Sequence, residues 1–189
     1  MSVAVALVTG AGSGIGKAAA LKLASDGFAI GALGRTADEI ASTVAEIDAA
    51  GGEGVSLLAD IADERQMADA VGQLVKRFGR LDVVVANAGI NGVWAPIEEL
   101  RPEEWSKTLD INLKGTFLTV KYAAPHLKKQ GGSVIITSSV NGTRVFSGTG
   151  ATAYSSSKAG QVALAIAFLG VLNERDVEAE ADDREDDDA

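Results

Sequence analysis

The sequence predicts an α/β fold, a doubly wound parallel sheet with helices on both faces. Short β-branched or apolar runs alternate with longer helical patterns, as in repeated strand–helix–strand units. A glycine-rich segment follows the first apolar run and opens the first helical pattern. With 189 residues, of which 47% are hydrophobic, the chain can bury the core of one such domain.

Five strands are predicted from short apolar runs bounded by turn residues. They are Val3–Val8, Phe28–Leu33, Val55–Leu58, Leu81–Ala86 and Val134–Thr137. The fourth run is almost unbroken, as expected for a strand covered on both faces. Right-handed crossovers with a switch after the third strand give the strand order 3-2-1-4-5.

Helical patterns fill the intervals between these strands and follow the last one. The predicted helices are Gly14–Ser25, Ala37–Ala50, Asp63–Phe78, Glu103–Lys129 and Ala153–Leu172. Asp63 is placed to cap the third helix, and Pro102 stands just before the long fourth helix, where proline suits a helix start.

The net charge of −9 is concentrated at one end of the chain. Residues 174–189 contain ten acidic residues and two arginines, so the rest of the chain is close to neutral. We therefore expect one domain over residues 1–173, an acidic, disordered tail over 174–189, and no nucleic-acid partner.

Other classes of protein are excluded by composition. The absence of cysteine excludes disulfides, thiolate metal sites and a cysteine nucleophile, and no metal site is expected. The run Val3–Val8 is too short to span a bilayer, so no membrane partner is expected and a cytoplasmic location is predicted.

The glycine-rich segment is Thr9-Gly10-Ala11-Gly12-Ser13-Gly14-Ile15-Gly16. Gly10 permits a sharp turn, while Gly14 and Gly16 let the backbone approach a pyrophosphate and the helix pack on the sheet. Backbone N–H groups at the helix start, from Ser13 and Ile15 onward, would hold the phosphates. The segment thus predicts a Rossmann-type dinucleotide site; the alternative is a tight strand–helix turn without a ligand.

The end of the second strand bears on which dinucleotide is bound. An acidic residue there would bind the ribose 2′-hydroxyl and repel a 2′-phosphate. Gly34 occupies that position, and Arg35 follows with a charge that suits a phosphate. NADP is therefore favoured, with NAD as the alternative, although Ser13 adds no basic group.

Tyr154 and Lys158 are four residues apart, so they share one face of the last predicted helix. A tyrosine hydroxyl with an ordinary pKa near 10 exchanges protons poorly at neutral pH, and a neighbouring ammonium favours its ionised form. The alternative is a helix-surface pair without chemistry. Because Ser138 and Ser139 end the preceding strand, where open α/β sheets place ligands, we favour a catalytic pair.

Taken together, these motifs resemble the short-chain dehydrogenase/reductase family. The resemblance covers roughly residues 3–165 and is carried, in order, by Thr9-Gly10-x-x-x-Gly14-x-Gly16, Asp60, Asn87-Ala88-Gly89, Asn112, Ser139 and Tyr154-x-x-x-Lys158. It implies an NAD(P)-dependent enzyme that interconverts a carbonyl and a secondary alcohol. The substrate would be a small molecule, either a sugar or a 3-oxoacyl thioester.

The resemblance also implies roles for the matching residues. Tyr154 would be the acid/base group, with Lys158 as its cationic partner, and both would contact the cofactor. Ser139, with Ser138 as the alternative, would bind the substrate oxygen. Asn112 would hold a helix kink and a water that joins Lys158 to a proton path.

Further implied contacts concern the cofactor and the assembly. Asp60 would meet the adenine amino group, although it could instead cap the helix that follows, and Asn87, Ala88 and Gly89 would leave room for the ribose. Relatives form dimers or tetramers through two long helices, here Glu103–Lys129 and Ala153–Leu172, so a homo-oligomer is expected.

Two departures from the family pattern stand out. The interval from Ser139 to Tyr154 is about two residues longer than usual, which turns at residues 141–143 and 147–150 could absorb. After about Ala167 the pattern fails, so we expect the sheet to lack strands six and seven and the fifth strand to form an edge. A truncated, catalytically dead nucleotide-binding module is therefore the alternative to an active enzyme.

Overall fold

A computed structural model describes residues 3–129, 131–144 and 150–172, with side chains as far as Phe168. Five parallel strands form one sheet in the order β3-β2-β1-β4-β5, which confirms the predicted order. The strands are β1 (Val5–Thr9), β2 (Ala29–Gly34), β3 (Glu53–Leu58), β4 (Val83–Ala86) and β5 (Ser133–Ile136). Predicted and observed strand ends differ by two residues at most, and the ends at Leu58 and Ala86 coincide.

Six α-helices are described in these ranges. They are α1 (Gly14–Ser25), α2 (Ala37–Ala49), α3 (Glu64–Phe78), α4 (Pro102–Leu109), α5 (Gly115–Leu127) and α6 (Thr152–Leu172). The prediction of one helix over Glu103–Lys129 is wrong in one respect, because a π-helical turn, Asp110–Lys114, separates α4 from α5. The Gly115 N–H donates to the carbonyl of Asp110, five residues back, and so widens this turn.

The two faces of the sheet carry separate cores. Successive strand residues point to opposite faces, so Leu7 packs with α3 and α5 while Val8 packs with α1 and α2. Large buried side chains on the first face include Leu33, Met67, Leu74, Leu118 and Leu127. Those on the second face include Ile30, Ile40 and Ile47. Covering both faces leaves only the ends of the strands for a ligand site.

Asp82 joins three strands at the amino ends of the sheet. Its Oδ2 accepts from the Val5 N–H at 2.7 Å, and its own N–H donates to the Val5 carbonyl at 2.9 Å. Its carbonyl accepts from the Ser133 N–H at 2.9 Å. Arg80 Nε donates to the same carboxylate at 2.9 Å. These bonds hold the starts of β1, β4 and β5 together, and we name them the Asp82 junction.

The described sheet has β3 at one edge and β5 at the other, where β5 pairs with β4. Ile135 on this strand is 52% exposed. No helix in the described ranges is both long and apolar enough to cross a membrane. The predicted turn at residues 147–150 lies largely outside the described residues, and the predicted acidic tail lies wholly outside them.

Candidate active site

A cleft of about 360 Å³ lies at the carboxyl ends of β1 to β4. Eight of the predicted cofactor residues line it: Gly10, Ser13, Ile15, Arg35, Asp60, Asn87, Ala88 and Gly89. Apolar side chains that the motifs did not indicate, those of Ile61, Ile90 and Ile111, line it as well. A cleft with apolar walls and a few polar groups suits the adenosine part of a dinucleotide.

Gly14 and Gly16 do not line the cleft but shape the loop beside it. Gly10 has φ +68° and Gly14 has φ +53°, a left-handed backbone conformation that residues other than glycine rarely adopt. A β-carbon on Gly16 would overlap the Gly10 carbonyl oxygen. The loop can therefore fold back on itself only with glycine at these positions.

The start of α1 fits an anion. Ser13 is the N-cap in extended conformation, its side chain makes no capping hydrogen bond, and the first turn contains no acidic residue. The N–H groups of that turn therefore have no capping side chain, and the helix dipole favours negative charge there. A pyrophosphate would supply both the acceptors and the charge.

Thr9 connects this loop to the segment after β4, a role that the sequence did not reveal. Its hydroxyl accepts the N–H groups of Asn87 and Ala88 at 3.0 and 3.1 Å, and the Asn87 amide donates to the Thr9 carbonyl at 3.2 Å. Thr9 is buried. A polar residue at the end of an apolar strand is the one signal that could have indicated this.

Arg35 and Asp60 face each other across the cleft. The Arg35 Nη1 lies 3.6 Å from Asp60 Oδ2, and Asp60 Oδ1 accepts from the Ala62 N–H at 2.9 Å. The alternative role of Asp60 as a helix cap is wrong. Asp63 caps α3 instead, as predicted, by accepting from the Gln66 N–H at 2.9 Å.

Asn112 lies in the π-helical turn and is completely buried. Its Oδ1 accepts from the Ile90 N–H at 2.8 Å, and its Nδ2 donates to the Ile90 carbonyl at 2.9 Å and to Ser157 Oγ at 3.0 Å. One side chain thus fastens the loop after β4 to α6. We call this set of bonds the Asn112 clamp.

Two partners of this clamp on α6 were missed by sequence reasoning. Gln161 donates to the Asn112 carbonyl and to Thr116 Oγ1, both at 2.8 Å, and is 1% exposed. Ser157 Oγ donates to the Tyr154 carbonyl at 2.7 Å. For Gln161, a polar residue within an apolar stretch of α6 was the available signal, whereas Ser157 lies in a run of polar residues.

Lys158 is buried near the cleft. Its Nζ donates to the Thr137 carbonyl at 2.8 Å and lies 5.7 Å from the centre of the Tyr154 ring. A β-carbon built on Gly89 would lie 3.8 Å from this Nζ and 3.0 Å from Asn112 Oδ1. Burial lowers the pKa of Lys158. The fold thus brings Gly89, Asn112, Tyr154 and Lys158 into one region.

The two candidate serines differ in their bonds. Ser138 Oγ donates to the Lys158 carbonyl at 2.9 Å, so its proton is already used. Ser139 Oγ accepts from the Asn141 N–H at 3.2 Å and caps a 3₁₀ turn over Val140–Gly142. Accepting leaves the Ser139 proton free to donate to a ligand, which favours Ser139 over Ser138.

The similarity of this chain to known proteins covers most of its length. Residues 4–181 match the family model described as short chain dehydrogenase. A 3beta-hydroxysteroid dehydrogenase from Mediterraneibacter gnavus is 36% identical over 154 residues, which are 82% of this chain and 55% of that protein. A 3-oxoacyl-[acyl-carrier-protein] reductase from Thermotoga maritima is 33% identical over 178 residues, 94% of this chain and 71% of that protein.

Solved structures of dehydrogenases and reductases also superpose on this chain. A 3-ketoacyl-ACP reductase from Sinorhizobium meliloti superposes with a TM-score of 0.83 at 58% identity, over 85% of this chain and 63% of that one. NAD⁺-bound xylitol dehydrogenase superposes with a TM-score of 0.85 at 31% identity, over 91% of this chain and 67% of that one. An alcohol dehydrogenase from Thermococcus sibiricus complexed with 5-hydroxy-NADP superposes with a TM-score of 0.83 at 34% identity, over 87% of this chain and 69% of that one.

The chain spans just over half the length of several curated relatives. It belongs to the short-chain dehydrogenase family, a family of enzymes that use a nicotinamide cofactor.

Proposed function

We propose that this chain is an NAD(P)-dependent oxidoreductase that interconverts a carbonyl and a secondary alcohol on a small molecule. The observation that supports it most is the position of Lys158, whose Nζ lies 5.7 Å from the Tyr154 ring and adjoins Gly89 at the cleft. A cation, a phenol and a nucleotide cleft in one place are what proton-coupled hydride transfer requires.

Each residue has a defined part in the proposed reaction. When bound, the nicotinamide supplies or accepts the hydride. In the reducing direction, the Tyr154 hydroxyl would donate its proton to the carbonyl oxygen of the substrate, which becomes the hydroxyl of the secondary alcohol. Lys158 stabilises the phenolate left behind, and Ser139 donates a hydrogen bond to the substrate oxygen. Asn112 positions the loop and α6 around these groups.

For the cofactor we propose NADP in preference to NAD. Arg35 lines the cleft at the end of β2, where a 2′-phosphate would lie, and Gly34 carries no acid there. The start of α1, without a capping side chain, would bind the pyrophosphate, while Asp60 and Asn87 to Gly89 would surround the adenosine and ribose.

A carbonyl panel that includes 3-oxoacyl thioesters and sugar-derived carbonyls tests the proposal, with NADPH oxidation followed by absorbance. Tyr154→Phe should lower turnover by about a hundredfold or more, because the proton donor is lost. The control is Tyr122→Phe, since the Tyr122 hydroxyl bonds Glu64 on α3 and should leave turnover unchanged. Folded protein that binds NADPH but reduces no substrate would instead indicate the non-catalytic nucleotide-binding module.

A further inference from the structure

The first turns of α2 lie directly on the glycine-rich loop, residues 10–16, that follows β1. Thr43, which is buried, donates from Oγ1 to the Ala11 carbonyl at 2.9 Å and so fixes the distance between helix and loop. One turn earlier, a β-carbon built on Gly12 would lie 2.9 Å from Glu39 Cβ and 2.8 Å from Glu39 Oε2. The Glu39 carboxylate therefore lies beside the loop and lines the same cleft.

The charges around this cleft do not balance. Its charged lining residues are Arg35, Glu39 and Asp60. Arg35 lies 3.6 Å from Asp60, so that pair accounts for one cation and one anion. Glu39 makes no ion pair within the part of the chain that the structure describes. The lining therefore keeps one net negative charge, contributed by Glu39.

We infer that Glu39 is a specificity-determining residue that opposes Arg35 in the choice between NADP and NAD. This rests on the proposed function, because it concerns the same nucleotide cleft. A 2′-phosphate would add about two negative charges at the end of β2, in the cleft that both Arg35 and Glu39 line. Arg35 attracts these charges and Glu39 repels them, whereas a free 2′-hydroxyl is barely affected by either. Glu39 thus limits the preference for NADP that Arg35 alone would produce.

Nucleotide binding to the full chain tests this without any turnover. NADPH and NADH are titrated separately, dissociation constants are taken from the fluorescence of the reduced nicotinamide, and their ratio is compared between variants. Glu39→Gln should shift the ratio about threefold to tenfold toward NADPH, because the carboxylate is exposed and partly screened. Arg35→Gln should shift it the other way. Raising the salt concentration should shrink both shifts.

Asp38→Asn is the matched control. Asp38 is exposed in the same helical turn, and its replacement changes the net charge by the same amount, yet Asp38 does not line the cleft. The ratio should therefore stay close to that of the wild type. A ratio that Glu39→Gln leaves unchanged, or moves no further than Asp38→Asn does, overturns the role of Glu39. If the wild type binds neither nucleotide, the proposed function itself fails, and this inference with it.

Discussion

Among the buried residues that the structure describes, Lys158 is the only one with a charged side chain, and it is 5% exposed. Its Nζ donates to the Thr137 carbonyl, which is a neutral group. A buried ammonium that faces a dipole instead of a carboxylate loses more hydration than it recovers. This explains the direction of its pKa shift and means that the group has a cost for the folded state.

That cost predicts a pH dependence of stability. Because the folded-state pKa of Lys158 lies below the ordinary value of 10.5, the unfolded chain binds this proton more readily. Stability therefore rises with pH from the lowered pKa up to the ordinary one. Lys158→Met should remove this part of the rise, a slope of at most about 1.4 kcal/mol per pH unit.

Urea unfolding over a series of alkaline pH values would measure this slope. Lys76→Met on α3 is the control, because Lys76 is exposed and its charge stays hydrated in both states. Parallel stability curves for wild type and Lys158→Met would contradict the account of Lys158.

Residues of the site differ in how far the sequence predicted them. Gly10 and the Tyr154–Lys158 pair were predictable, because a glycine that permits a sharp turn and two residues four apart on a helix are recognised from nearby residues in the sequence. Thr9 and Glu39 were not, because each acts on a segment that is distant in sequence or lies across a helix–loop contact. Contacts between segments that are distant in sequence depend on how the helices and strands pack together.

At the level of elements, the π-helical turn between α4 and α5 decides how the site is assembled. A regular helix would rotate Asn112 relative to the residues that follow it. The wide turn instead places its amide between Ile90 and Ser157, and Gly160 lets Leu113 pack closely on α6. The amphipathic pattern predicted a helix throughout, because one wide turn barely alters the period of apolar residues.

Breaking the Asn112 clamp should loosen the loop after β4. Asn112→Leu leaves the Ile90 N–H and carbonyl without their partner, so we expect a loss of about 1–3 kcal/mol in unfolding free energy. Hydrogen exchange measured by mass spectrometry should become faster in peptides that contain Ile90.

Thr119→Val provides the control for this clamp. Thr119 is equally buried on α5, but its hydroxyl donates within its own helix, to the Gly115 carbonyl of the preceding turn. Exchange near Ile90 should then match the wild type. Equal acceleration in both variants would show that the loop responds to general loss of stability and not to the clamp.

For the molecule as a whole, the described sheet has a lateral edge at β5 with an exposed apolar side chain, Ile135. Edge strands with apolar faces pair with other chains. We therefore expect the chain to associate with itself as its concentration rises, and Ile135→Lys to lower the mass measured by light scattering.

The control for this edge is Ile97→Lys. Ile97 is 72% exposed but lies in the loop after β4, so a lysine there should leave association unchanged. A wild-type chain that stays monomeric at about 100 μM, a concentration at which exposed edges commonly aggregate, would refute the expectation.

The strand order was predictable at this scale because parallel crossovers allow few topologies, whereas exposure at the edge depended on the final packing.

The Asp82 junction has a consequence for engineering. It ties β1, β4 and β5 together at their amino ends, while the cleft occupies the carboxyl ends. Strand alignment is thereby secured at a distance from the loops that would meet a ligand. Libraries that randomise the loop after β4 beyond Ile90, and so leave the Asn112 clamp intact, should keep the scaffold. Changes at Asp82 would instead reach three strands at once. The starting points for new substrate range and for added robustness thus lie at opposite ends of the same sheet.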